Sequence, residues 1–203
     1  MSKMFLDPNQ PLHTCKEESC DHCSVADTLV CHFTGKRLGL FLLMFLPLFG
    51  LAGYALFTYH IWIFAAWLVF VFVFFGLIEI RVMCSHCPHY AELGLKTLKC
   101  WVNYGSPKLW KYRPGPMSPM ETIVFFLGFI LILIPPAVLA GLQQHFWLMG
   151  TYLVFLVLVF SLLHVFYCSH CINFVCPLNV VNKRIRQEFV EKNPNVKKKV
   201  TSN

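Results

Sequence analysis

Ten cysteines in a chain of 203 residues are the groups best suited to chemistry, and four of them lie near the amino terminus. Their spacing is Cys15-x4-Cys20-x2-Cys23-x7-Cys31. Thiolate sulfur is a soft ligand, and a Cys-x2-Cys step lets two sulfurs approach one ion from a tight turn. The segment is too short to bury a useful core, whereas a bound metal supplies on the order of 10 kcal/mol in small zinc modules. We therefore predict a metal site here, with a disordered thiol-bearing tail as the alternative.

A second pattern is a tetrapeptide that occurs twice, as Cys84-Ser85-His86-Cys87 and as Cys168-Ser169-His170-Cys171. Two matched Cys-x2-Cys units predict one tetrahedral site with four thiolates, Cys84, Cys87, Cys168 and Cys171. Separate reactive or structural thiols are the alternative. His86 and His170 are predicted to orient the loops by hydrogen bonding, in support of the metal ligands.

Two further thiols, Cys100 and Cys176, lie close enough in sequence to add ligands to this site. Cys87 and Cys176 are each followed by proline, which is typical of iron–sulfur ligand runs. The sequence leaves the cofactor open between an iron–sulfur cluster and zinc.

The elements that must position these cysteines are apolar. The chain is 57% hydrophobic and 13% charged, against about 25% charged in a soluble domain. Residues 38–78 and 122–182 contain no Asp, Glu, Lys or Arg. A span needs roughly 20 apolar residues, so each block holds two. We predict an all-α integral membrane protein, and disfavour a soluble all-α one, with transmembrane helices at about 38–57, 61–81, 119–140 and 146–167.

The basic residues predict the orientation. All 17 lie before the first helix, in the loop after the second or beyond the fourth, and neither hairpin turn carries one. Lys and Arg are retained on the cytoplasmic side, so both termini, the central loop and all ten cysteines are predicted to be cytoplasmic, in the plasma (inner) membrane. Thiols there stay reduced. The net charge of +7 is explained by topology and membrane lipid headgroups, and nucleic acid is not a predicted partner.

The first residues lack the features of a cleavable signal peptide, so we expect targeting by the first helix.

An internal duplication is the simplest account of the two hairpins. Trp62 precedes Cys84 by 22 residues, and Trp147 precedes Cys168 by 21. Prolines lie in both leading helices, and two parallel repeats are expected. The predicted units are a Cys-rich amino-terminal segment (1–37), a first hairpin with its tetrapeptide (38–87), an aromatic and basic loop (88–118), a second hairpin with its tetrapeptide (119–182) and a basic tail (183–203).

The central loop is rich in aromatic residues. Trp101, Trp110 and Tyr112 are predicted to anchor at the membrane interface, with a docking face for a soluble protein as the alternative. At the end of this loop, Ser118, Pro119 and Glu121 predict a capped helix start.

Few polar groups lie within the predicted spans. Glu79 and His164 lie near the cysteine-bearing ends, where we expect them to support the metal site; quinone or proton handling is the alternative. His60 and His145, at the outer turns, are predicted to be interfacial rather than ligands of a haem.

Three functions follow from these patterns. The first is a membrane electron-transfer subunit with cysteine-ligated iron–sulfur centres, a cytoplasmic protein partner and a quinone as a further candidate partner. The chain resembles, in architecture only, four-helix membrane subunits that pass electrons between quinol and iron–sulfur partners; the ferredoxin run Cys-x2-Cys-x2-Cys-x3-Cys-Pro is missing. The second is a zinc-stapled scaffold or adaptor that recruits a cytoplasmic partner. The third is a thiol enzyme or metal sensor, so the sequence leaves enzyme activity undecided.

Overall fold

Four long apolar helices form the body of the molecule. The computed structural model describes residues 10–32, 34–92, 96–100 and 102–197. Helix α1 is Gly35–Tyr59, and α2 begins as Ile61–Val73, continues through a π-helical segment at Phe74–Ile78 and ends at Glu79–Val82. After a short helix α3 (Pro88–Ala91), the second hairpin comprises α4 (Pro119–Leu142) and α5 (Phe146–Phe166). Two carboxyl-terminal helices follow, α6 (Lys183–Lys192) and α7 (Pro194–Lys197).

Helices α1, α2, α4 and α5 are long and apolar enough to cross a membrane, which confirms the prediction of four spans in an all-helical chain. The described residues contain only two isolated β-bridges and no strand. Helix α1 packs against α2, α4 and α5, so the two hairpins form one bundle. The prediction for Trp101 lies outside the described residues.

The predicted start of α4 is confirmed as a capping box. The Ser118 hydroxyl accepts from the Glu121 amide at 3.3 Å, and the Glu121 carboxylate accepts from the Ser118 amide at 2.9 Å. Pro119 occupies the first turn, where its missing N–H costs nothing.

A proline inside α4 is compensated by a tryptophan of α2. Pro136 has no N–H to donate to the Ile132 carbonyl one turn earlier. The Trp67 indole N–H donates to that carbonyl at 3.0 Å, and Trp67 is buried. An unsatisfied carbonyl is costly in hydrocarbon, so this bond satisfies α4 and joins it to α2.

We expect Trp67→Phe to lower the free energy of unfolding in detergent by about 1–2 kcal/mol, because the Ile132 carbonyl loses its partner. Trp62→Phe is the matched control, since Trp62 is 75% exposed. Equal stability of the two variants, measured by denaturant titration, would contradict this account.

Helices α2 and α4 approach each other closely at Gly128. A Cβ atom built on Gly128 would overlap the ring of Phe74, the first residue of the π-helical segment. Phe74 is itself buried, so its ring has little room to move. Glycine is therefore required at this crossing.

Gly128→Ala is expected to destabilise the bundle by about 1–3 kcal/mol through overpacking. Gly150→Ala, also within a span, places its Cβ in open space and serves as the control. Thermal denaturation of both variants in the same detergent measures the difference, and unchanged stability of Gly128→Ala would refute the close packing.

The amino-terminal segment and helix α6 form a small unit together with the loop between α5 and α6. Their shared core consists of buried apolar residues: Leu12, Val25, Leu29, Ile172, Val181 and Phe189. The Thr14 hydroxyl donates to the Asn193 side chain at 2.7 Å, and the Lys16 amide donates to the Lys192 carbonyl at 2.9 Å. The segment thus obtains a core that its own length could not supply, and residues 183–192 of the predicted tail form a packed helix.

The loop aromatics pack inward. Trp110 and Tyr112 pack, partly buried, against a cluster that contains Ile80, Cys84 and Tyr90. The Trp110 amide donates to the Tyr90 hydroxyl at 2.8 Å. Their contacts are therefore with this cluster, and anchoring at the membrane interface stays a prediction.

Candidate metal centre

A cavity of about 450 Å³ lies at the cysteine-bearing end of the bundle. Its walls are apolar residues of α1, α2, α4 and α5, together with the loops that follow α2 and α5. Six cysteines line it: Cys84, Cys87, Cys100, Cys168, Cys171 and Cys176. The structure therefore brings both tetrapeptides and both additional thiols to one space. All ten cysteines lie within the described residues, and none of them forms a disulfide.

Two of these six sulfurs accept a hydrogen bond from the backbone amide two residues later. The distance is 3.5 Å from the Val102 amide to Cys100 and 3.4 Å from the Asn173 amide to Cys171. An amide N–H directed at sulfur favours the thiolate, the form that binds metal, and tunes iron–sulfur centres. At Cys87 and Cys176, the amides of His89 and Leu178 act in the same sense, because they lower the pKa of the thiol against the effect of burial.

The thiols around the cavity are electrostatic neighbours. Burial, followed by the nearby thiols of Cys100, Cys171 and Cys176, raises the pKa of Cys87. Burial and then Cys100, Cys176 and Cys168 likewise raise the pKa of Cys171, and Cys168 also contributes to the raised pKa of Cys176.

The first cysteine of each tetrapeptide has different surroundings. The buried Cys84 thiol donates to the Glu79 carboxylate at 3.3 Å, and the Asn103 amide donates to the Cys84 sulfur at 3.2 Å. Cys168 is half-buried, and its sulfur accepts no comparable amide bond within the part of the chain that the structure describes. Both cysteines line the cavity, but only Cys84 forms hydrogen bonds with the Glu79 and Asn103 side chains.

The thiols are near one another without forming a closed site for one ion. Among residues 10–32, 34–92, 96–100 and 102–197, no three His, Cys, Asp or Glu side chains converge to hold a metal ion. The six thiols line a space, and do not meet at a point.

The four amino-terminal cysteines lie together in the small unit. Burial, followed by the thiols of Cys23, Cys20 and Cys15, raises the pKa of Cys31 to about 12. Nε2 of His32 lies 3.8 Å from the Cys20 sulfur. The Val30 amide donates to the His170 carbonyl at 2.8 Å, so this unit contacts the second tetrapeptide directly.

His89 is a site residue that the sequence analysis missed. It lines the cavity, is 2% exposed, and neither ring nitrogen has a hydrogen-bond partner among the described residues. Burial, then His32 and Lys108, lowers its pKa to about 4, so the ring is neutral at pH 7. Its position after Cys87-Pro88 was the available signal. Asn103 and Asn173 also line the cavity and were not predicted.

The four residues predicted to support the metal site lie in different surroundings. Glu79 is buried and lines the cavity. His86 faces the central loop, with Nδ1 3.0 Å from the Gly115 carbonyl, and His170 Nδ1 lies 2.7 Å from the Ser169 hydroxyl. His164 is exposed on α5 and does not line the cavity.

Arg113 fastens the first tetrapeptide. Its guanidinium donates to the Arg81 carbonyl at 2.7 Å and to the Ser85 hydroxyl at 3.0 Å, and it pairs with Glu121 at 2.6 Å. Its backbone amide donates to the Ser85 carbonyl at 2.9 Å. These bonds hold the turn that buries Cys84 and Cys87.

We expect Arg113→Ala to raise the rate at which maleimide modifies Cys84 by about tenfold, the effect of a 1.4 kcal/mol fall in the local opening free energy. Lys111→Ala, which changes an exposed residue of the same loop, is the control. Mass spectrometry of the labelled peptides gives both rates. Equal rates in the two variants would show that Arg113 does not hold the turn.

Comparison of this chain with protein-family models, with curated proteins and with solved structures finds no match.

Proposed function

We propose that the protein is an integral membrane electron-transfer subunit that holds an iron–sulfur cluster through Cys87, Cys100, Cys171 and Cys176. The observation that carries this proposal is a backbone amide that favours the thiolate at four cysteines around one cavity, through a hydrogen bond at Cys100 and Cys171 and through its effect on the pKa at Cys87 and Cys176. Hydrogen bonds to the ligand sulfurs and burial are the means by which proteins set the potential of such clusters. Two of these cysteines precede proline, as in iron–sulfur ligand runs.

The number of thiols favours a cluster over a single zinc ion. Zinc needs four donors about 2.3 Å from one point, whereas six cysteines line this cavity. A cluster attaches its cysteines to more than one iron, so thiols distributed around a cavity fit it.

A zinc-stapled scaffold or adaptor is the second candidate, and the amino-terminal cysteines favour it. Cys15, Cys20, Cys23 and Cys31 neighbour one another in a small unit that joins the two ends of the chain. Zinc there would stabilise a platform for a protein partner. In that case the cavity thiols would staple the two hairpins.

The orientation of the protein in the membrane is part of the same proposal. Placement of both termini and all ten cysteines on the cytoplasmic side of the plasma (inner) membrane is supported by the distribution of Lys and Arg. The centre would then exchange electrons with a cytoplasmic protein partner, and the membrane lipid would surround the exposed apolar helix faces.

The internal duplication, also proposed, is supported by the backbone of the two tetrapeptides. Met83 and Tyr167 both have φ of −119°, and a 3₁₀ turn follows each of them. Ser85 and Ser169 each donate to the carbonyl four residues earlier, at 2.7 and 2.5 Å.

Anaerobic purification tests the proposal. We expect a brown protein with bound iron and acid-labile sulfide, whose visible absorption is bleached by dithionite. Cys87→Ser and Cys171→Ser should lose most of the absorption, whereas Cys168→Ser should keep it because Cys168 is outside the proposed ligand set. Gel filtration checks that each variant is folded.

Three results would count against it. A colourless protein with stoichiometric zinc would favour the scaffold, and a metal-free protein would remove both candidates. Equal loss of iron in Cys168→Ser and Cys87→Ser would show that the amide-to-sulfur bonds do not mark the ligands.

A further inference from the structure

The lining of the cavity also includes many apolar side chains of the helices. We call this apolar part of the cavity the chamber. One wall is a face of α1 formed by Phe41, Phe45 and Phe49, which are spaced by one turn. Phe75 of α2 and Phe125 and Phe129 of α4 also line the chamber, and the rings of Phe49 and Phe75 are in edge contact, 6.5 Å between centroids. A mostly apolar pocket with a few polar groups at one place is the usual form of a small-molecule site.

The chamber opens at the side of the bundle. Leu42 and Leu46 line the cavity and yet are 57% and 67% exposed. Both belong to α1, within a helix long and apolar enough to cross a membrane. A ligand dissolved in the bilayer would enter past these two side chains.

Polar groups meet the chamber where it reaches the thiols. Glu79, 3% exposed, lies at the end of the π-helical segment, and its carboxylate accepts from the Asn103 amide at 3.1 Å. π-Helical turns are frequent at functional sites. The lining thus contains hydrogen-bonding groups as well as aromatic side chains and cysteines.

The charged residues of the lining disfavour an anionic ligand. No lysine or arginine belongs to the cavity lining within the described part of the chain, whereas one carboxyl does. A phospholipid or a fatty-acid anion would place negative charge beside Glu79 with no cation to compensate it. A neutral head with hydrogen-bonding oxygens and an apolar tail suits this lining.

We propose that the chamber binds a lipid-soluble quinone, with its ring against the phenylalanines, its oxygens towards Glu79 and Asn103, and its tail leaving past Leu42 and Leu46. The choice of a redox-active ring rests on the proposed electron-transfer function. The apolar, cation-free chamber that opens to the side does not depend on it.

Photolabelling of the full chain in lipid nanodiscs with an azido-ubiquinone of short tail tests this inference. We expect saturable labelling of the α1 peptide that contains Phe41–Phe49, and competition by decyl-ubiquinone. Decanol, which has the same tail without the ring, should compete at least about tenfold less well, because the ring supplies the polar contacts.

Two substitutions of exposed leucines on α1 provide the matched pair. Leu46→Trp places bulk at the mouth and should weaken decyl-ubiquinone competition by about tenfold or more. Leu43→Trp changes a side chain that is 63% exposed and does not line the cavity, so it should have no effect. Neither position is in the core, so both variants should fold.

The outcomes separate this inference from the proposed function. Diffuse labelling of all four helices, equal competition by decanol, or equal effects of the two tryptophans would overturn the quinone site. Iron and visible absorption are measured on the same samples. An iron-containing protein without saturable labelling removes the quinone site alone, and an iron-free protein with saturable labelling removes the iron–sulfur centre alone.

Discussion

The ion pair between Arg113 and Glu121, at 2.6 Å, is the contact on which the cysteine-bearing end of the molecule depends. Glu121 caps α4 by accepting the Ser118 amide, and Arg113 takes up the Arg81 carbonyl at the end of α2. One pair therefore joins the start of the second hairpin, the end of the first and the loop between them. Backbone groups that leave a helix need partners, and here the loop supplies them. Because the loop is fastened at this point, it can fold back over the bundle and bring Cys100 and Asn103 to the cavity.

The environment of each sulfur combines a local and a distant contribution. The amide two residues beyond Cys87, Cys100, Cys171 or Cys176 belongs to the same turn, so each arrangement forms wherever that turn forms. The meeting of the turns requires the hairpins, the loop and the amino-terminal unit to pack together. The local amide favours the thiolate form of each cysteine, and tertiary packing determines which cysteines lie around the same cavity. Burial alone would keep the thiols neutral, whereas an amide N–H directed at the sulfur favours the thiolate.

The long helices were predictable because nearly every residue in them is apolar and none of the long apolar blocks contains a charge. Apolar blocks without charge predicted four spans, and the structure begins α2 at Ile61, α4 at Pro119 and α5 at Phe146, as predicted. The capping box at Ser118 was equally readable, since all its members lie within four residues. The burial of His89 and the reach of Asn103 to Glu79 were not, because they depend on how the loop returns to the bundle. The packing of the amino-terminal segment against α6 joins opposite ends of the chain, for which short polar sequences carry little signal.

The two tetrapeptides have the same sequence and different surroundings. Their backbones and serine hydrogen bonds agree, so the local structure follows from the four residues and the preceding helix. Their outer surroundings differ, because the central loop covers the first and the amino-terminal unit contacts the second. As a result, His86 lies 3.5 Å from Glu121, whereas His170 contacts its neighbour Ser169. The Cys171 sulfur accepts the Asn173 amide at 3.4 Å, and the His89 amide lowers the pKa of Cys87. Each repeated motif thus brings two thiols to the cavity, and the loops that follow the two hairpins bring Cys100 and Cys176.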